Sequence, residues 1–225
     1  MEPQQQDVYE VTEKPDIAPL VPPEAASALD VGCGRGGFGR TLRGVLGEKA
    51  VIHGIEPVTS QAAASRADGA FTQVHDGYYP DALPHGLSYD VISFIDVLEH
   101  MIDPWQVLRD TVGRLNENGV VIAAVPNVQY GTNLHGLLRG RWDYTDVGIL
   151  DRTHVRFFTR ATCASLFTDS GYEVLSLTPM GSIWQADWAS EPRSPLRTRL
   201  LRRALIRVSP GAEWMHYTVV ARPVR

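Results

Sequence analysis

A glycine-rich turn after a short apolar strand is the feature that most constrains the fold of this chain. Residues 29–39 read Leu-Asp-Val-Gly-Cys-Gly-Arg-Gly-Gly-Phe-Gly, with an acid, Asp30, at the end of the strand. Glycine suits such a turn because it reaches positive φ readily and lets a ligand approach the backbone without meeting a Cβ. A helix is predicted over residues 38–46, and its first N–H groups lack helical partners. The segment therefore predicts a ligand site between a strand and a helix.

The same glycine spacing, from Gly32 to Gly37, also fits the dinucleotide-binding fingerprint Gly-x-Gly-x-x-Gly. A dinucleotide fold usually has an apolar residue at the position of Asp30 and offers its helix N-terminus to a pyrophosphate. An acid there is badly placed for a diphosphate and suits a ligand with a cationic end. The turn favours a cationic ligand, and an NAD-dependent oxidoreductase is the weakest alternative.

Short apolar segments alternate with helical ones through the first 125 residues. They are continuously apolar, as is expected when helices cover both faces of a sheet. The predicted order is strand 28–31, helix 38–46, strand 50–55, helix 59–66, strand 70–74, strand 89–95, helix 104–115 and strand 120–125. This alternation predicts a doubly wound, Rossmann-like α/β sheet in which ligands bind at the carboxyl ends of the strands.

The second half of the chain departs from this alternation. Residues 126–158 are too long for an ordinary connection and predict a lid-like insert after strand five. The segments expected after it are a helix over 160–170 capped by Thr159, a strand over 172–177, an irregular stretch over 181–194, a basic helix over 196–208 and a last strand over 214–221. One domain is expected over residues 28–225, with residues 1–27 as an N-terminal arm and residues 181–213 preceding the last strand.

Length and composition fit a single enzyme domain. The chain has 225 residues, 44% of them hydrophobic, which is enough for one substantial core. It contains no run of roughly 18 apolar residues that could span a membrane, and its N-terminus lacks the features of a signal peptide. The two cysteines, Cys33 and Cys163, have no metal-ligand spacing. A cytoplasmic protein without a metal site is predicted.

Charge divides the chain into an acidic and a basic half. Residues 1–112 hold 7 Lys/Arg and 17 Asp/Glu, whereas residues 113–225 hold 14 and 9. The acidic half coincides with the predicted site for a cationic ligand. The basic half favours an anionic second substrate or an anionic surface, although arginines that only solvate helices are the alternative.

The glycine turn with Asp30 resembles the first motif of class I S-adenosylmethionine-dependent methyltransferases, and four further segments resemble the same family. They are Ile55-Glu56-Pro57, His75-Asp76-Gly77, the segment from Asp90 to His100, and Asn118-Gly119 with the strand that follows. Residues 90–100 are similar to the quinone-methyltransferase-like branch, and the resemblance covers roughly residues 8–180. It implies a seven-stranded, mostly parallel sheet whose last strand lies antiparallel between strands five and six.

The resemblance also implies the cofactor, S-adenosylmethionine, and the residues that hold it. The two oxygens of Glu56 suit the ribose hydroxyls, Asp76 lies where the family keeps an acid near the adenine, and Asp96 is placed near the methionine moiety. A helix-capping role is the alternative for Asp96. The predicted cofactor set is Asp30, Gly32, Cys33, Gly34, Glu56, Pro57, Asp76, Gly77, Asp96 and Val97.

A histidine in the insert is the best candidate for a catalytic base. His154 belongs to residues 148–159, which together with residues 137–145 resemble methyltransferases found with glycosyltransferases and with polysaccharide or glycolipid pathways. Histidine, with a pKa of about 6.5, accepts a hydroxyl proton at neutral pH. Asp151 is predicted to orient its other ring nitrogen, and His100 to line the pocket. The alternative is that His154 only braces the insert.

Three other regions are candidates for the acceptor side and the lid. The aromatic and basic residues of the insert predict a platform for a sugar or a phosphate, or else a packed lid. They are Tyr130, His135, Arg139, Arg141, Trp142 and Tyr144. Tyr9 is predicted to fold over the cofactor, with a disordered arm as the alternative. The basic helix 196–208 predicts a peripheral membrane contact or an ordinary surface helix.

These observations leave several functions open. The first is O-methylation of a sugar hydroxyl on a glycan, glycolipid or nucleotide sugar, and the second is O-methylation of a quinone or phenol. A non-catalytic cofactor-binding partner is the third, although its acids at 30, 56, 76 and 96 argue against a decayed site. Nucleic acid is not an expected partner, because the chain is acidic overall and Asn127 follows a single proline in the wrong order for an amino-directed DNA methyltransferase. The oligomeric state is not predicted.

Overall fold

The computed structural model describes residues 13–182 and 196–225, with the side chains of 196–199 excepted, and contains one seven-stranded sheet. The strand order is β3-β2-β1-β4-β5-β7-β6. The strands are β1 Ser27–Val31, β2 Val51–Glu56, β3 Gln73–Asp76, β4 Tyr89–Ile95, β5 Leu115–Pro126, β6 Tyr172–Ser182 and β7 Trp214–Pro223. The first five are parallel, and β7 runs antiparallel to both β5 and β6. The predicted fold class and the position of the last strand are confirmed.

Six α-helices connect or flank these strands within the described residues. They are α1 Gly37–Leu46, α2 Thr59–Asp68, α3 Pro104–Thr111, α4 Gly131–Leu137, α5 Arg160–Thr168 and α6 Leu196–Val208. The predicted cap is confirmed, since Thr159 forms a capping box with Thr162 before α5. The side chain of Asp103 caps α3 by accepting from the Gln106 N–H. Residues Pro15–Leu20 form a 3₁₀ turn. No helix of the described residues is long and apolar enough to cross a membrane.

Four predicted boundaries differ from the structure by three residues or more. Strand β6 runs to Ser182 instead of residue 177. Strand β3 begins at Gln73 instead of residue 70, and α3 ends at Thr111, followed by a 3₁₀ turn. Strand β5 begins at Leu115, five residues before the predicted start, because residues 116–119 continue the strand past a register shift against β4 instead of forming a turn. The side chain of Asn116 there donates to Asp90 at 2.7 Å and anchors the irregular segment.

Apolar side chains cover both faces of the sheet, as the predicted doubly wound arrangement requires. Along β1, Leu29 belongs to the cluster on one face and Ala28 to the cluster on the other. Residues 13–26 pack onto the second face through Ile17 and Val21, which are almost fully buried. The core therefore lies on both sides of the strands, which leaves their carboxyl ends as the open edge.

That edge brings the predicted site segments together. The register pairs Asp30 with Gly54 and Glu56 with Asp76, so β1, β2 and β3 end side by side. The insert after β5 returns to the same edge, where Asn127 and Phe158 pair at its two ends. The buried Asn127 side chain donates to the carbonyl oxygens of Gly211 and Trp214, both at 2.7 Å, which ties the start of the insert to β7.

Candidate functional site

A cavity of about 890 Å³ opens at the carboxyl ends of β1, β2 and β4. The glycine turn forms one end, and residues 99–107 with parts of the insert form the other. Of the predicted site residues, the lining includes Asp30, Gly32, Cys33, Gly34, Glu56, Pro57, Gly77, Asp96, Val97, His100 and His154. Asp76 and Asp151 lie outside the lining.

The glycine turn exposes backbone to this cavity. Gly32 and Gly34 have φ of +69° and +53°, values that glycine adopts without strain. The N–H groups of Gly32 and Cys33 donate to the Ile55 carbonyl at 2.8 and 3.2 Å, which fixes the turn against β2. A Cβ on Gly32 would lie 2.6 Å from a methyl carbon of Val97. The backbone of residues 32–34 therefore forms an open surface, called the cradle below, that a side chain would obstruct.

Glu56 is held at the end of β2 by two backbone N–H groups. One carboxylate oxygen accepts from Gly34 and the other from Val58, both at 2.9 Å. Burial raises the pKa of Glu56, and these hydrogen bonds oppose the rise. Because each carboxylate oxygen has further acceptor capacity, the oriented pair can also receive two neighbouring hydroxyls of a ligand.

Asp30 is a buried acid at the base of the cradle. Its Oδ1 accepts from the Ser93 hydroxyl at 2.7 Å, and its side chain is 2% exposed. Burial raises its pKa to about 7, the Ser93 hydrogen bond opposes the rise, and the charge of Glu56 adds to it. A cationic ligand would relieve the cost of ionising this carboxyl group, so the chemistry fits the predicted cationic end.

Asp96 follows β4 in a left-handed conformation, with φ of +57°. Its carboxylate lies 2.6 Å from Lys14 Nζ and 3.3 Å from His216 Nε2. Although desolvation opposes it, the contacts with His216 and Lys14 hold the pKa of Asp96 well below its usual range. The 3₁₀ turn Leu98–His100 has no side-chain cap, so Asp96 is not a cap of that turn. Its predicted place near the methionine moiety stays a prediction.

Asp76 ends β3 but points away from the cavity lining. Its carboxylate pairs with the Arg66 guanidinium on α2, and its side chain is half exposed. The next residues, Gly77 and Tyr78, line the cavity instead. The predicted contact of Asp76 with an adenine is therefore not supported by its position, whereas the Gly77 prediction agrees with the lining.

Three ligand-type side chains meet at the opposite end of the cavity. Glu99, His100 and His154 each offer one donor atom within 4.8 Å of the others. The two imidazole rings lie edge to face, with centroids 4.6 Å apart. The Glu99 carbonyl accepts from the N–H groups of Val155 and Arg156 at 2.9 and 3.0 Å, so the main chain of Glu99 brings the insert to this position.

The predicted pair between Asp151 and His154 is not formed. His154 Nδ1 lies 2.9 Å from the Ile149 carbonyl oxygen, and its Nε2 lies 3.9 Å from Glu99 Oε1. Asp151 Oδ1 instead accepts from the backbone N–H and the hydroxyl of Thr153, both at 2.7 Å. The Thr153 hydroxyl lies 3.0 Å from His100 Nδ1. Asp151 therefore supports His100 through Thr153, and Ile149 orients His154.

Both histidines of this group are neutral near pH 7. Burial lowers the pKa of His154, and the hydrogen bond to Ile149 opposes the fall. Burial and the neighbouring His154 lower the pKa of His100 to about 4. A neutral imidazole has one nitrogen with a free electron pair, which is the form that accepts a proton or binds a metal ion.

Three residues that line the cavity were not predicted from the sequence as site residues. Glu99 belongs to the lining although it was not among the predicted site residues. His216 reaches the cavity because β7 inserts beside β5 and pairs His216 with Pro126 at the strand edge. That pairing follows from the predicted antiparallel last strand and could have been used. No local sequence pattern identifies Lys14 as a cavity residue, because its contact with Asp96 joins segments that are 82 residues apart.

The predicted acceptor platform is only partly assembled. A second cavity of about 450 Å³ adjoins the first at Gly148, and its lining includes Tyr130, His135, Arg139 and Arg141. Trp142 and Tyr144 lie outside that lining, and Trp142 packs edge to face against Phe157, with ring centroids 5.2 Å apart. Tyr9 and most of the stretch 181–194 lie outside the described residues, and the membrane contact of helix 196–208 stays a prediction.

Residues 6–177 match a family model described as a methyltransferase domain, which covers more than half of the chain. A ubiquinone biosynthesis O-methyltransferase of Neisseria meningitidis serogroup C is 25% identical over 156 residues, which are 65% of this chain and 63% of that protein. The chain thus spans less than two thirds of the length of the curated relatives it matches.

Solved structures of methyltransferases share the fold. A Thermotoga maritima S-adenosylmethionine-dependent methyltransferase, described as a possible histamine N-methyltransferase, has a TM-score of 0.63 at 17% identity and covers 93% of this chain and 87% of its own. An O-methyltransferase of neocarzinostatin biosynthesis was crystallised with S-adenosylmethionine and 2-hydroxy-5-methyl naphthoic acid. It has a TM-score of 0.60 at 16% identity, and the match covers 94% of this chain and 53% of that one. At these identities the likeness concerns the fold alone.

Proposed function

This chain belongs to the S-adenosylmethionine-dependent methyltransferases, and from that premise we propose that it methylates a hydroxyl oxygen on an anionic or sugar-containing small molecule. One observation carries the proposal. A single cavity joins the glycine cradle, with Asp30 and Glu56, to a group of proton-accepting side chains, Glu99, His100 and His154. The first end suits a cationic nucleoside cofactor, and the second suits an acceptor hydroxyl.

The residues of the cradle fit the cofactor. Gly32 and Gly34 keep the backbone free of side chains, Glu56 presents two oriented oxygens, and Asp30 offers a buried negative charge. When bound, S-adenosylmethionine supplies a methyl group whose carbon–sulfur bond breaks toward sulfur as the acceptor oxygen attacks. The chain's own task is to place that oxygen in line and to exclude water, which is mainly an orientation effect.

The proton of the acceptor hydroxyl passes to a histidine at the other end of the cavity. His154 is held by Ile149 at Nδ1, so its Nε2 is the nitrogen that faces the cavity and accepts the proton of the hydroxyl. His100, supported by Thr153 and Asp151, lies beside it and fixes the position of the ring. His154 is therefore the proposed base, with Asp151 and His100 as positioning residues.

Charge and shape support an anionic or sugar-containing acceptor. The second cavity adjoins the first at Gly148 and brings Arg139, Arg141 and His135 within reach of the same acceptor. Guanidinium groups bind phosphates and carboxylates through paired hydrogen bonds. A sugar phosphate or nucleotide sugar would place its anionic group there and its hydroxyl at His154. Arg141 also pairs with Asp143, which would orient the guanidinium.

A phenolic acceptor is the second candidate. The relative from Neisseria meningitidis is named for ubiquinone biosynthesis, and the neocarzinostatin enzyme was crystallised with a hydroxylated naphthoic acid. An aromatic ring of that kind would lie between Tyr78 and Met101, which line the same cavity. The two candidates differ in the second cavity, which a small phenol does not need.

Calorimetry followed by an acceptor screen tests the proposal. The protein and an Asp30→Ala variant are titrated with S-adenosylmethionine, S-adenosylhomocysteine and NAD. Micromolar binding of the adenosyl ligands, absent for NAD and lost in the variant, is the expected result. Sugar phosphates, nucleotide sugars and catechols are then assayed for production of S-adenosylhomocysteine. Cofactor binding without turnover on any class would favour a non-catalytic partner and contradict the proposal.

A further inference from the structure

We propose that Glu99, His100 and His154 bind a divalent transition-metal cation at the acceptor end of the cavity. The proposal rests on the proposed function and deepens it, because it changes how the acceptor hydroxyl loses its proton. The three side chains come from two distant segments, yet their donor atoms all lie within 4.8 Å of one another. His154 Nε2 and Glu99 Oε1 are 3.9 Å apart, so small movements of the side chains would bring the three donor atoms to the bond lengths of about 2.0–2.2 Å that such an ion requires.

The Glu99 carboxylate provides an independent observation. It is 1% exposed, and neither oxygen has a hydrogen-bond partner among the residues that the structure describes. A buried carboxylate without a partner is costly. The Lys14 ammonium does not satisfy these oxygens, since it contacts Asp96 instead. A cation between Glu99 and the histidines would satisfy both orphaned oxygens.

The histidines are held as metal ligands usually are. A ligating histidine typically donates its other ring N–H to an oxygen, which fixes the tautomer and the ring orientation. His154 Nδ1 lies 2.9 Å from the Ile149 carbonyl, and His100 Nδ1 lies 3.0 Å from the Thr153 hydroxyl. That hydroxyl donates in turn to the Asp151 carboxylate at 2.7 Å. Both rings therefore have the supporting contacts that a metal site requires, with Nε2 as the donor atom.

The donor set indicates which ions fit. Two imidazoles and one carboxylate suit zinc, iron, cobalt or manganese better than the all-oxygen preference of magnesium or calcium. Three protein ligands leave at least one coordination position open, as in catalytic sites. Because the group faces the cavity, the open position is directed at the space where the acceptor would lie.

A cation there changes the route of the acceptor proton. The hydroxyl oxygen would occupy the open position, and the metal charge would lower its pKa. The oxygen–hydrogen bond breaks with the proton passing to water, and the oxygen then forms the bond to the methyl carbon. Glu99 and the two Nε2 atoms hold the ion throughout. His154 would then serve as a ligand, and the chain without a cation would rely on His154 as the base.

Metal binding is tested directly on the full chain after dialysis against EDTA. Cobalt(II) is titrated with visible absorption as the readout, and zinc with calorimetry. We expect one equivalent to bind to the wild-type chain and binding at least 100-fold weaker in Glu99→Gln and His154→Gln. His85→Gln, which removes an exposed histidine outside the group, serves as the matched control and should bind as the wild type does. Equal binding by Glu99→Gln, or no binding by the wild type, would overturn the proposal.

Melting temperatures show whether the variants are folded. Zinc should raise the melting temperature of the wild type and of His85→Gln but not that of Glu99→Gln. Without the cation, Glu99→Gln should be at least as stable as the wild type. Burial raises the pKa of Glu99 well above its usual range, so glutamine replaces a carboxyl group that is costly to ionise by a neutral group of the same shape. A melting temperature of Glu99→Gln that rises with zinc as much as the wild type would contradict the assignment.

The activity assay separates this inference from the proposed function. Methyl transfer that continues at the full rate after complete removal of metal would overturn the route of the acceptor proton through the cation and leave the proposed function standing. Cobalt bound by the three side chains, with no methyl transfer to any acceptor class, would support the site and contradict the proposed function. Transfer that disappears with EDTA and returns with zinc, manganese or cobalt supports both.

Discussion

The two ends of the cavity are built in different ways. At the cofactor end, Asp30 and Glu56 each have hydrogen-bond partners that reach them from nearby strands and turns. At the acceptor end, Glu99 has two buried oxygens without such partners among the described residues, and its neighbours come from the insert. The chain's own donors hold Asp30 and Glu56 at the cofactor end, whereas no described residue donates a hydrogen bond to the Glu99 carboxylate at the acceptor end.

Because of this difference, substitutions at the two ends of the cavity should have different effects. Substitutions at the cofactor end should weaken cofactor binding, because the backbone shape itself forms the cradle. Substitutions at the acceptor end should leave cofactor affinity intact and lower turnover. The following expectations test that separation, beginning with the largest effect.

Replacing His154 with alanine should give the largest loss. We expect turnover to fall by about 100-fold or more, because the side chain that receives the proton or holds the ion is removed. Cofactor affinity, measured by calorimetry, should stay within about twofold of the wild type by the same reasoning. His85→Ala is the control, as an exposed histidine away from the cavity. Unchanged turnover would remove His154 from the site.

Replacing Gly32 with alanine should affect the other end. The new Cβ would lie 2.6 Å from Val97 at a φ of +69°, so we expect a loss of about 2 kcal/mol in stability and about thirtyfold in cofactor affinity. Gly47→Ala is the matched control, because its φ is +78° but nothing lies within 4 Å of the added Cβ. It should lose stability without losing cofactor affinity. Similar affinity losses in both variants would contradict the cradle.

The pH dependence of cofactor binding should follow Asp30. Burial raises the pKa of Asp30 to about 7, so the carboxyl is mostly protonated at pH 6 and mostly ionised at pH 8. Affinity for the cationic cofactor should rise about tenfold between pH 6 and pH 8. Stability of the free protein should change in the opposite direction, decreasing from pH 4 to pH 7 by up to about 1.4 kcal/mol per pH unit, because the folded state binds the extra proton. An Asp30→Asn variant that keeps the same affinity slope would show that another group is responsible.

Replacing Thr153 with valine should give the smallest effect. The change removes the hydroxyl that joins Asp151 to His100, and we expect turnover to fall by about tenfold with little change in cofactor affinity. Thr168→Val is the control, since its hydroxyl donates to the Ser165 carbonyl within α5 and the residue lines neither cavity. A variant Thr153→Ser, which restores the hydroxyl, should recover most of the activity. Failure of serine to do so would assign the loss to packing.

The same comparison explains what the sequence could predict. The cofactor end is encoded by short segments, each a strand end followed by its own turn. The place of Asp30 and Gly32 in such a turn could therefore be predicted from local spacing, whereas Glu56 was proposed from the family resemblance. Alternation of apolar segments predicted the sheet for the same reason. The early start of β5 was missed because Asn118 and Gly119 look like a turn. The structure continues the strand through them, and the preceding Asn116 is held by Asp90.

The acceptor end depends on contacts between distant segments. The distance of three residues between Asp151 and His154 suggested a pair, but the backbone turns there, with the His154 N–H bonded to the Asp151 carbonyl, and the imidazole points to Ile149 instead. Glu99 could be placed beside His154 only once the insert was seen to pair with the Glu99 main chain. Such proximity is a property of the folded chain and has no signature in a single segment.

The pairing of Asn127 with Phe158 has a consequence for how this protein can be altered. Because these two residues lie side by side, the insert leaves the sheet and returns to it at the same place. A loop of another length could join the same two positions at a small entropic cost. The acceptor range should therefore be open to change by grafting a foreign loop into the part of the insert that precedes Ile149, which keeps His154 and its supporting residues in place. The cradle for the methyl donor, which lies on other strands, would pass unchanged from one such chimera to the next.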